Sequence, residues 1–338
     1  MPYLAENISL QALNTFRVPA YARWFTTINT ENELHELYRD EHFQKDPLLI
    51  LGGGSNMLFT RNFQGLAVRM NIQGITCKED GDDVFVTAGG GVVWHDLVMY
   101  CVNNEFAGIE NLSLIPGSVG ASPIQNIGAY GVELMEVFHS CRAFDIETGS
   151  IKEFDNAACS FSYRDSIFKH ELKGRYIITE VTYKLSRTFK PQLSYGAISE
   201  ELKSRGILNP SIKDVSDVVS AIRVSKLPDP ATIGNAGSFF KNPVVGSDQF
   251  RDIQSIFPDI VHYVIGNDAV KLAAGWLIEQ CGWKGKIVGN TGTWKNQALV
   301  LVNHGNATGK EIFELSADII NSVQKTFGVS LEREVNII

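Results

Sequence analysis

The stretch Pro116-Gly-Ser-Val-Gly-Ala-Ser-Pro-Ile-Gln-Asn-Ile-Gly-Ala-Tyr-Gly131 contains four glycines and no lysine, arginine, aspartate or glutamate. A backbone this bare can approach a ligand closely and direct its N–H groups toward it. Such donors suit a diphosphate, although they do not specify which one. The stretch lacks the Gly-Lys-Ser/Thr ending of a nucleoside-triphosphate loop and matches Gly-x-Gly-x-x-Gly only weakly. An ordinary glycine-rich loop is the alternative.

A second glycine loop, Leu51-Gly-Gly-Gly-Ser-Asn56, follows the short apolar run 47–51. The run is typical of a buried strand, and a strand that ends in three glycines, a serine and an asparagine is a favourable place for phosphate oxygens. A tight turn between two strands is the alternative interpretation. Two such loops in one chain favour a phosphate-bearing ligand.

Composition narrows the class of protein. The chain has 338 residues, enough for two or three domains, and its 44% hydrophobic and 20% charged residues are typical of a soluble globular protein. A net charge of −8 gives no general attraction to nucleic acid or to anionic membranes. An anionic ligand must therefore be held by local basic residues.

Targeting and metal signals are absent from the sequence. It has no apolar run of about 20 residues and no signal peptide at its start. Five widely spaced cysteines form no Cys-x-x-Cys pair, and seven histidines show no metal-ligand spacing. We therefore expect a cytoplasmic protein with reduced thiols, no metal and no membrane insertion.

Strands dominate the first 190 residues and helices dominate after residue 214. The patterns predict strands over 47–51, 66–70, 84–88, 137–145, 176–185, 297–303 and 329–338. They predict helices over 93–102, 214–226, 247–256, 270–281 and 309–327. Gly282 should end the fourth helix, and Thr308 with Glu311 should form a capping box on the last one. The best domain boundary lies near 190–210.

Charged and hydroxyl residues stand among glycines and aromatics at four places. Arg164 suits a bidentate contact to a carboxylate, or a structural ion pair with a neighbouring acid. Lys226 ends a helix, where a cation is favourable in any case. Ser238 lies in the specialised segment Gly234–Pro243, although a lone serine is usually a turn residue. Glu334 shares a strand face with a second glutamate, and exposed edge carboxylates are the alternative there.

No protein-based catalytic pattern accompanies these residues. The sequence has no nucleophile elbow, no His-Glu-x-x-His and no carboxylate pair of glycosidase type. A cofactor is therefore expected to carry the difficult chemical step.

Taken in order, these segments resemble the UDP-N-acetylenolpyruvoylglucosamine reductase family (UDP-N-acetylmuramate dehydrogenase, MurB). The resemblance covers nearly the whole chain. Its most specific stretches are Gly234-Asn-Ala-Gly-Ser-Phe-Phe-Lys-Asn-Pro243 and the run from Pro116 to Gly131. The stretch Gln192–Gly196 is similar to the longer, type I form, in which a tyrosine loop covers the substrate channel.

The resemblance implies an α+β fold and a noncovalent FAD. It places a PCMH-type (vanillyl-alcohol-oxidase-like) FAD-binding domain over 1–190, with lobes of about 1–70 and 71–190. A C-terminal α+β substrate-binding domain would cover 205–327, and a strand over 328–338 would return to the N-terminal lobe. The FAD diphosphate would lie along Gly53, Gly54, Ser55, Asn56, Gly117, Ser118, Gly120 and Ser122.

The resemblance also implies the reaction. NADPH would reduce FAD, which would then reduce UDP-N-acetylglucosamine enolpyruvate to UDP-N-acetylmuramate for peptidoglycan precursor synthesis. Arg164 and Glu334 match the residues that activate the substrate carboxylate, and Ser238 matches the residue that protonates the enolic carbon. Diphosphate contacts would come from Tyr195, Lys226, Asn242 and Gln297. A monomer is expected.

One departure from the family pattern and two rival functions remain. Many relatives have a basic residue two places after the tail glutamate, where this chain has Asn336, so one contact near the substrate would be lost or replaced. An oxygen-using oxidase on the same fold is the first rival, although neither glycine loop has a histidine to tether FAD. A nucleotide-sugar-binding protein without catalysis is the second.

Overall fold

The computed structural model describes residues 2–266 and 268–338 of the chain. Its strands are β1 (Ala5–Ser9), β2 (Tyr21–Ile28), β3 (Leu48–Leu51), β4 (Met57–Leu58), β5 (Phe63–Met70), β6 (Ile75–Asp80), β7 (Asp83–Gly89), β8 (Gly128–Ala129), β9 (Val132–Glu133), β10 (Phe138–Asp145), β11 (Ile151–Asp155), β12 (Tyr176–Ser186), β13 (Val244–Gly246), β14 (His262–Ile265), β15 (Ala269–Leu272), β16 (Ile287–Val288), β17 (Thr291–Trp294), β18 (Gln297–Asn303) and β19 (Asn336–Ile337).

The helices follow the same chain order. They are α1 (Glu31–Leu37), α2 (Glu41–Lys45), α3 (Trp94–Asn103), α4 (Gly196–Ser204), α5 (Ile212–Lys226), α6 (Ser247–Ile256), α7 (Ala274–Gln280) and α8 (Gly309–Phe327). Within the described ranges, no helix combines the length and apolar character needed to cross a bilayer.

The chain divides into two compact units that are both discontinuous in sequence. The first unit comprises Met1–Ile8, Ala22–Gly53 and Gln64–Arg223, and the second comprises Ser9–Tyr21, Gly54–Phe63 and Val224–Ile338. The division at 190–205 and the separate strand over 328–338 stay predictions about domains. In the structure, the short N-terminal segments Ser9–Tyr21 and Gly54–Phe63 belong to the same compact unit as Val224–Ile338.

The first unit contains two large sheets and the short pair β8-β9. One has the strand order β1-β2-β5-β3, in which β3 and β5 are parallel, and the other has the antiparallel order β11-β10-β12-β7-β6. Phe144 of β10 and Ile177 of β12 are buried with Leu66 and Val68 of β5 in one apolar cluster. Burial of apolar surface therefore joins the two sheets, and the larger core lies around Trp94 of α3.

The second unit combines short sheets with α6, α7 and α8. Its sheets have the orders β13-β15-β14, β16-β17-β18 and β19-β4. Helix α8 begins at a capping box, in which Thr308 and Glu311 each bond the other's backbone, and ends at Gly328 with a φ of +67°. A Cβ on Gly309 would lie 1.7 Å from the Phe59 carbonyl oxygen, so only glycine permits this contact.

Most sequence predictions of helices and strands are confirmed. The structure has α6, α8 and β18 at their predicted bounds, and α3, α5, β3, β5, β7, β10 and β12 within three residues of theirs. The helix predicted over 270–281 is wrong in its first part. Residues Ala269–Leu272 form strand β15, in which Val270 and Leu272 alternate as buried residues, and the helix starts only at Ala274. Gly282, with a φ of +76°, follows the helix as expected.

The strand predicted over 329–338 is also largely wrong. Only Asn336–Ile337 forms a strand, parallel to β4, while Arg333 makes an isolated bridge to Phe240. The tail thus contacts two different segments in turn, and neither partner is long enough for a continuous ladder. Glu332 is exposed and Glu334 is half-buried, so the two carboxylates do not share one environment.

An ion pair between the buried Asp145, at the end of β10, and the half-exposed Arg175 generates the first prediction. Asp145 accepts hydrogen bonds from Arg175 at 2.9 Å, from Tyr176 and from the Glu147 N–H, and its side chain is 6% exposed. The Arg175 hydrogen bond contributes most to lowering the pKa of Asp145 from 3.8 to about 2. Because the folded-state pKa lies below the unfolded-state value, this stabilisation is complete above pH 4 and is lost as the pH falls toward 2.

We therefore expect Asp145→Asn to lower the free energy of unfolding by about 2 kcal/mol at pH 7, and by progressively less below pH 4. Urea unfolding at pH 7, 5, 4 and 3 measures the difference. The control is Asp83→Asn, which removes the exposed pair with Lys184 and should cost less than about 1 kcal/mol. Equal losses for both variants, independent of pH, would contradict the assignment.

Candidate active site

The two glycine loops meet in the first unit. A Cβ on Gly53 would lie 3.0 Å from the Gly117 Cα, and a Cβ on Gly52 would lie 2.3 Å from the Ser118 Oγ. Gly117 also has a φ of +124°, which L-amino acids with side chains rarely adopt. Glycine is therefore required for the backbones to approach, and the result is a bare surface of peptide groups that fits a diphosphate.

Further along the same loop, Gly120 lies against the larger sheet. Its N–H donates to the Gly90 carbonyl at 2.9 Å, and a Cβ there would be 3.0 Å from both the Gly90 and Ile178 oxygens. The Ser122 hydroxyl is buried and bonds the Val119 carbonyl at 2.7 Å and the Tyr183 hydroxyl at 2.9 Å. The side chain of Ser122 thus has an internal role here, and its cofactor contact stays a prediction.

Asn126 connects the glycine loop to the turn that carries Arg164. Its Nδ2 donates to Glu133 Oε2 at 2.8 Å and to the Ser162 carbonyl at 3.0 Å. A Cβ on Gly128 would lie 3.2 Å from an Arg164 guanidinium nitrogen, so this glycine leaves room for the side chain. The structure therefore brings predicted catalytic Arg164 against the end of the predicted cofactor loop.

Arg223 adds a second guanidinium to the first unit. Burial lowers the pKa of Arg223 most, the nearby Tyr130 opposes this, and the charge of Arg164 lowers that pKa further. The Tyr130 ring meets the Tyr195 ring edge-on, with centroids 5.1 Å apart and planes at 85°. Two arginines and two tyrosines thus form a polar cluster suited to an anion.

In the second unit, the tail lies beside Ser238. The Glu334 N–H donates to the Phe239 carbonyl at 2.8 Å, and the Lys241 N–H donates to the Glu332 carbonyl at 2.9 Å. Ser238 is exposed while Phe239 is buried, so the backbone is anchored and the hydroxyl remains accessible. Two predicted catalytic residues, Ser238 and Glu334, are therefore neighbours within this unit.

Asn56, at the end of the short glycine loop, contacts the tail beside Glu334. Asn56 Nδ2 donates to the Glu334 carbonyl at 3.3 Å, and both the N–H and the Nδ2 of Asn336 donate to the Asn56 carbonyl, at 3.1 and 2.9 Å. Gly54, with a φ of +62°, accepts from the Thr15 N–H at 3.1 Å. The residue that departs from the family pattern thus fixes the tail to this loop.

Two of the predicted substrate contacts of the second unit, Asn242 and Gln297, lie near the start of α7. Asn242 Oδ1 accepts from the Ala274 N–H at 3.0 Å, and a Cβ on Gly275 would be 2.8 Å from Gln297 Oε1. Lys226 is half-buried at the end of α5. Lys241 forms an ion pair with Glu332, so that cation is partly neutralised by the protein itself.

Sequence reasoning did not identify Asn126, Tyr130 or Asn111 as parts of this arrangement. Asn126 and Tyr130 have φ values of +43° and +51°, which mark them as special positions only once the backbone is known. Asn111 precedes the glycine loop and is fully buried. The sequence offers only one indication of its role, which is the position of this asparagine shortly before a glycine-rich stretch.

Comparisons with known proteins agree with this arrangement. Residues 229–338 match the family described as UDP-N-acetylenolpyruvoylglucosamine reductase, C-terminal domain, and residues 23–155 match an FAD binding domain family. The UDP-N-acetylenolpyruvoylglucosamine reductases of Flavobacterium johnsoniae and Amoebophilus asiaticus are 48% and 50% identical to this chain, each over 99% of both chains. The corresponding protein of Pseudomonas syringae pv. syringae is 47% identical over 98% of this chain and 97% of its own length.

A solved structure shares the fold. The crystal structure of UDP-N-acetylenolpyruvylglucosamine reductase (MurB) from Thermus caldophilus aligns with a TM-score of 0.69 and 23% identity, covering 100% of this chain and 99% of that one. The predicted α+β fold with an FAD-binding domain is therefore confirmed, and so is FAD as the cofactor. By its full-length relatives, the chain belongs to the UDP-N-acetylenolpyruvoylglucosamine reductase family of FAD-dependent oxidoreductases.

Proposed function

We propose that this chain uses NADPH to reduce UDP-N-acetylglucosamine enolpyruvate to UDP-N-acetylmuramate, with Arg164, Ser238 and Glu334 as its catalytic residues. One observation supports the residue assignment most. Asn56 contacts Glu334 across 278 positions of sequence, and Glu334 in turn bonds the residue after Ser238. Three segments that are far apart in the chain and separately suspected from sequence thus converge on one place.

FAD would lie along the glycines whose side-chain-free backbones make the two loops meet. When bound, it carries hydride from NADPH to the methylene carbon of the enolpyruvyl ether. In the first unit, Gly120, whose own N–H donates to the Gly90 carbonyl, would leave room for its diphosphate, and Gly53, Gly117 and Ser118 would offer it backbone contacts. In the second, Gly54, Ser55 and Asn56 would do the same.

The protein's own residues would handle charge and protons. Reduction at the methylene carbon places negative charge on the adjacent carbon and its carboxylate, which a fixed cation or donor stabilises. Arg164 would bind this carboxylate bidentately, and Glu334 would contact it either protonated or sharing a proton with it. Ser238 would donate the proton to the enolic carbon. A hydroxyl suffices because that carbon is strongly basic and the serine is reprotonated afterwards.

The remaining predicted residues would bind the diphosphate of either anionic substrate in turn. Tyr195 belongs to the aromatic cluster of the first unit, whereas Lys226, Asn242 and Gln297 belong to the second unit. Half-burial of these three side chains supports the assignment, since it leaves part of each accessible to a ligand. We also propose that the protein is cytoplasmic, because its five cysteines are all free, which is usual in a reducing compartment. We further propose that it is a monomer.

The overall reaction has a direct test without oxygen. We expect the purified protein to be yellow, to lose this colour with NADPH, and to regain it when UDP-N-acetylglucosamine enolpyruvate is added. A colourless protein would contradict the function. Recovery only on admission of oxygen would instead favour an oxidase, and light scattering at several concentrations would test the monomer.

Ser238→Ala should separate the two half-reactions. Reduction of the flavin by NADPH should stay within about twofold of the parent, while reoxidation by the enolpyruvyl substrate should fall by about 10²–10⁴, the usual worth of a positioned proton donor. Stopped-flow absorbance measures both rates. Ser255→Ala, which removes an exposed hydroxyl of α6, is the control. Equal loss of both rates in Ser238→Ala would mean that Ser238 is structural.

Arg164→Met should slow the same half-reaction for a different reason. Loss of the cation beside the developing carboxylate charge should lower the rate of reoxidation by about 10²–10³. Arg142→Met is the matched control, because Arg142 lies in the same unit and pairs with Glu31 at 2.8 Å on the surface. If Arg164→Met reoxidised at the parent rate, Arg164 would not contact the reacting carboxylate.

A further inference from the structure

Asn111 occupies an unusual position directly before the glycine loop. It is 0% exposed, and its Nδ2 donates to two backbone carbonyls, that of Tyr130 at 3.1 Å and that of Gln192 at 2.9 Å. These carbonyls lie 19 and 81 positions away in sequence. A single side-chain amide therefore links the end of the glycine loop to the segment that leads into α4.

The orientation of this amide is fixed by its surroundings. A flipped side chain would place Oδ1 against two carbonyl oxygens, where no hydrogen bond can form. In the observed orientation, Oδ1 is buried and has no hydrogen-bond partner among the described residues. A buried acceptor without a donor costs free energy, so Asn111 is a poor choice for stability alone. An asparagine is favoured here because its amide donates to the carbonyls of both Tyr130 and Gln192.

Those carbonyls belong to the two segments that carry the tyrosine pair. Tyr130 contacts Tyr195 edge-on and forms a side-chain hydrogen bond with Arg223. The segments also touch directly, since a Cβ on Gly131 would lie 3.2 Å from the Ser194 Oγ. Tyr195 itself is 38% exposed, so its ring is held on one side and accessible on the other.

We propose that Asn111 is a positioning residue, which fixes the Tyr195 segment against Tyr130 so that Tyr195 is ready to contact the diphosphate of the nucleotide-sugar substrate. This rests on the proposed function for the identity of the ligand. Asn111 acts through Tyr195 and touches neither the reacting carbon nor the flavin. Its loss should therefore weaken binding of the diphosphate ligand and leave the chemical steps largely intact.

The chain offers a matched control in the same unit. Asn156 Nδ2 also donates to two backbone carbonyls, those of Met135 at 2.7 Å and Phe138 at 3.1 Å. It forms no contact with the tyrosine pair among the interactions described. Asn156→Ala removes the same number and kind of hydrogen bonds, so it reports what such a loss costs in general.

Hydrogen exchange of the FAD-loaded enzyme tests the proposal without turnover. In Asn111→Ala, we expect backbone amides of residues 192–198 to exchange about tenfold faster than in the parent, because one tether of that segment is removed. Asn156→Ala should leave these amides unchanged. Unaltered exchange over 192–198 in Asn111→Ala would overturn the proposal.

Steady-state kinetics provide a second test of the proposal. Asn111→Ala should raise KM for UDP-N-acetylglucosamine enolpyruvate about tenfold, which corresponds to about 1.4 kcal/mol, with kcat within about twofold. In a Tyr195→Ala background the same substitution should change KM by less than about twofold, because the residue through which it acts is gone. Full additivity of the two substitutions would overturn the proposal.

Two outcomes keep this proposal separate from the proposed function. If the parent enzyme is not reoxidised by the enolpyruvyl substrate, the proposed function fails, while the exchange experiment still decides whether Asn111 holds the segment. If Asn111→Ala does not fold, Asn111→Asp keeps the side-chain volume. It presents acceptors to the two carbonyls, and so should accelerate exchange over 192–198 in the same way.

Discussion

The hydrogen bond from the Glu334 N–H to the Phe239 carbonyl ties the end of the chain to the segment that carries Ser238. The second unit depends on this contact, because the tail then continues to Asn56 and pairs β19 with β4. Together with the hydrogen bond from the Lys241 N–H to the Glu332 carbonyl, it holds three short segments that are remote in sequence next to one another. Backbone bonds are well suited to this task, since they fix positions while leaving side chains available for chemistry.

In the first unit, close approach of backbones has the corresponding role. Gly53 against Gly117 and Gly120 against Gly90 are contacts that a single methyl group would push apart. The same absence of side chains that lets the loops meet also leaves peptide groups open to a diphosphate. Packing and the proposed cofactor binding would therefore impose the same requirement on these positions.

Helices and strands could be predicted from the sequence wherever neighbouring residues alone determine them. Helix α8 has a capping box, an apolar stripe and a terminal glycine in its sequence, and its predicted bounds agree with the structure. The helix predicted over 270–281 begins too early because Leu272 lies at the i, i+4 helical spacing from Trp276 and also alternates with Val270, as in a strand. Only pairing of this segment with β13 and β14 decides between the two. The tail was misassigned for a similar reason. Asn111 carries no sequence signal of its contacts, since its two carbonyl partners, Tyr130 and Gln192, are far apart in the chain and no local pattern reports such a contact.

The electrostatics of the first unit connect stability to binding. The chain has a net charge of −8, yet Arg164 and Arg223 lie close enough for one to lower the pKa of the other. A guanidinium group carries its positive charge in proteins at neutral pH. Their mutual repulsion is a cost to the folded protein that an anionic ligand removes. The part of the ligand's binding energy that relieves this repulsion then also stabilises the fold, so affinity and ligand-induced stabilisation should rise together.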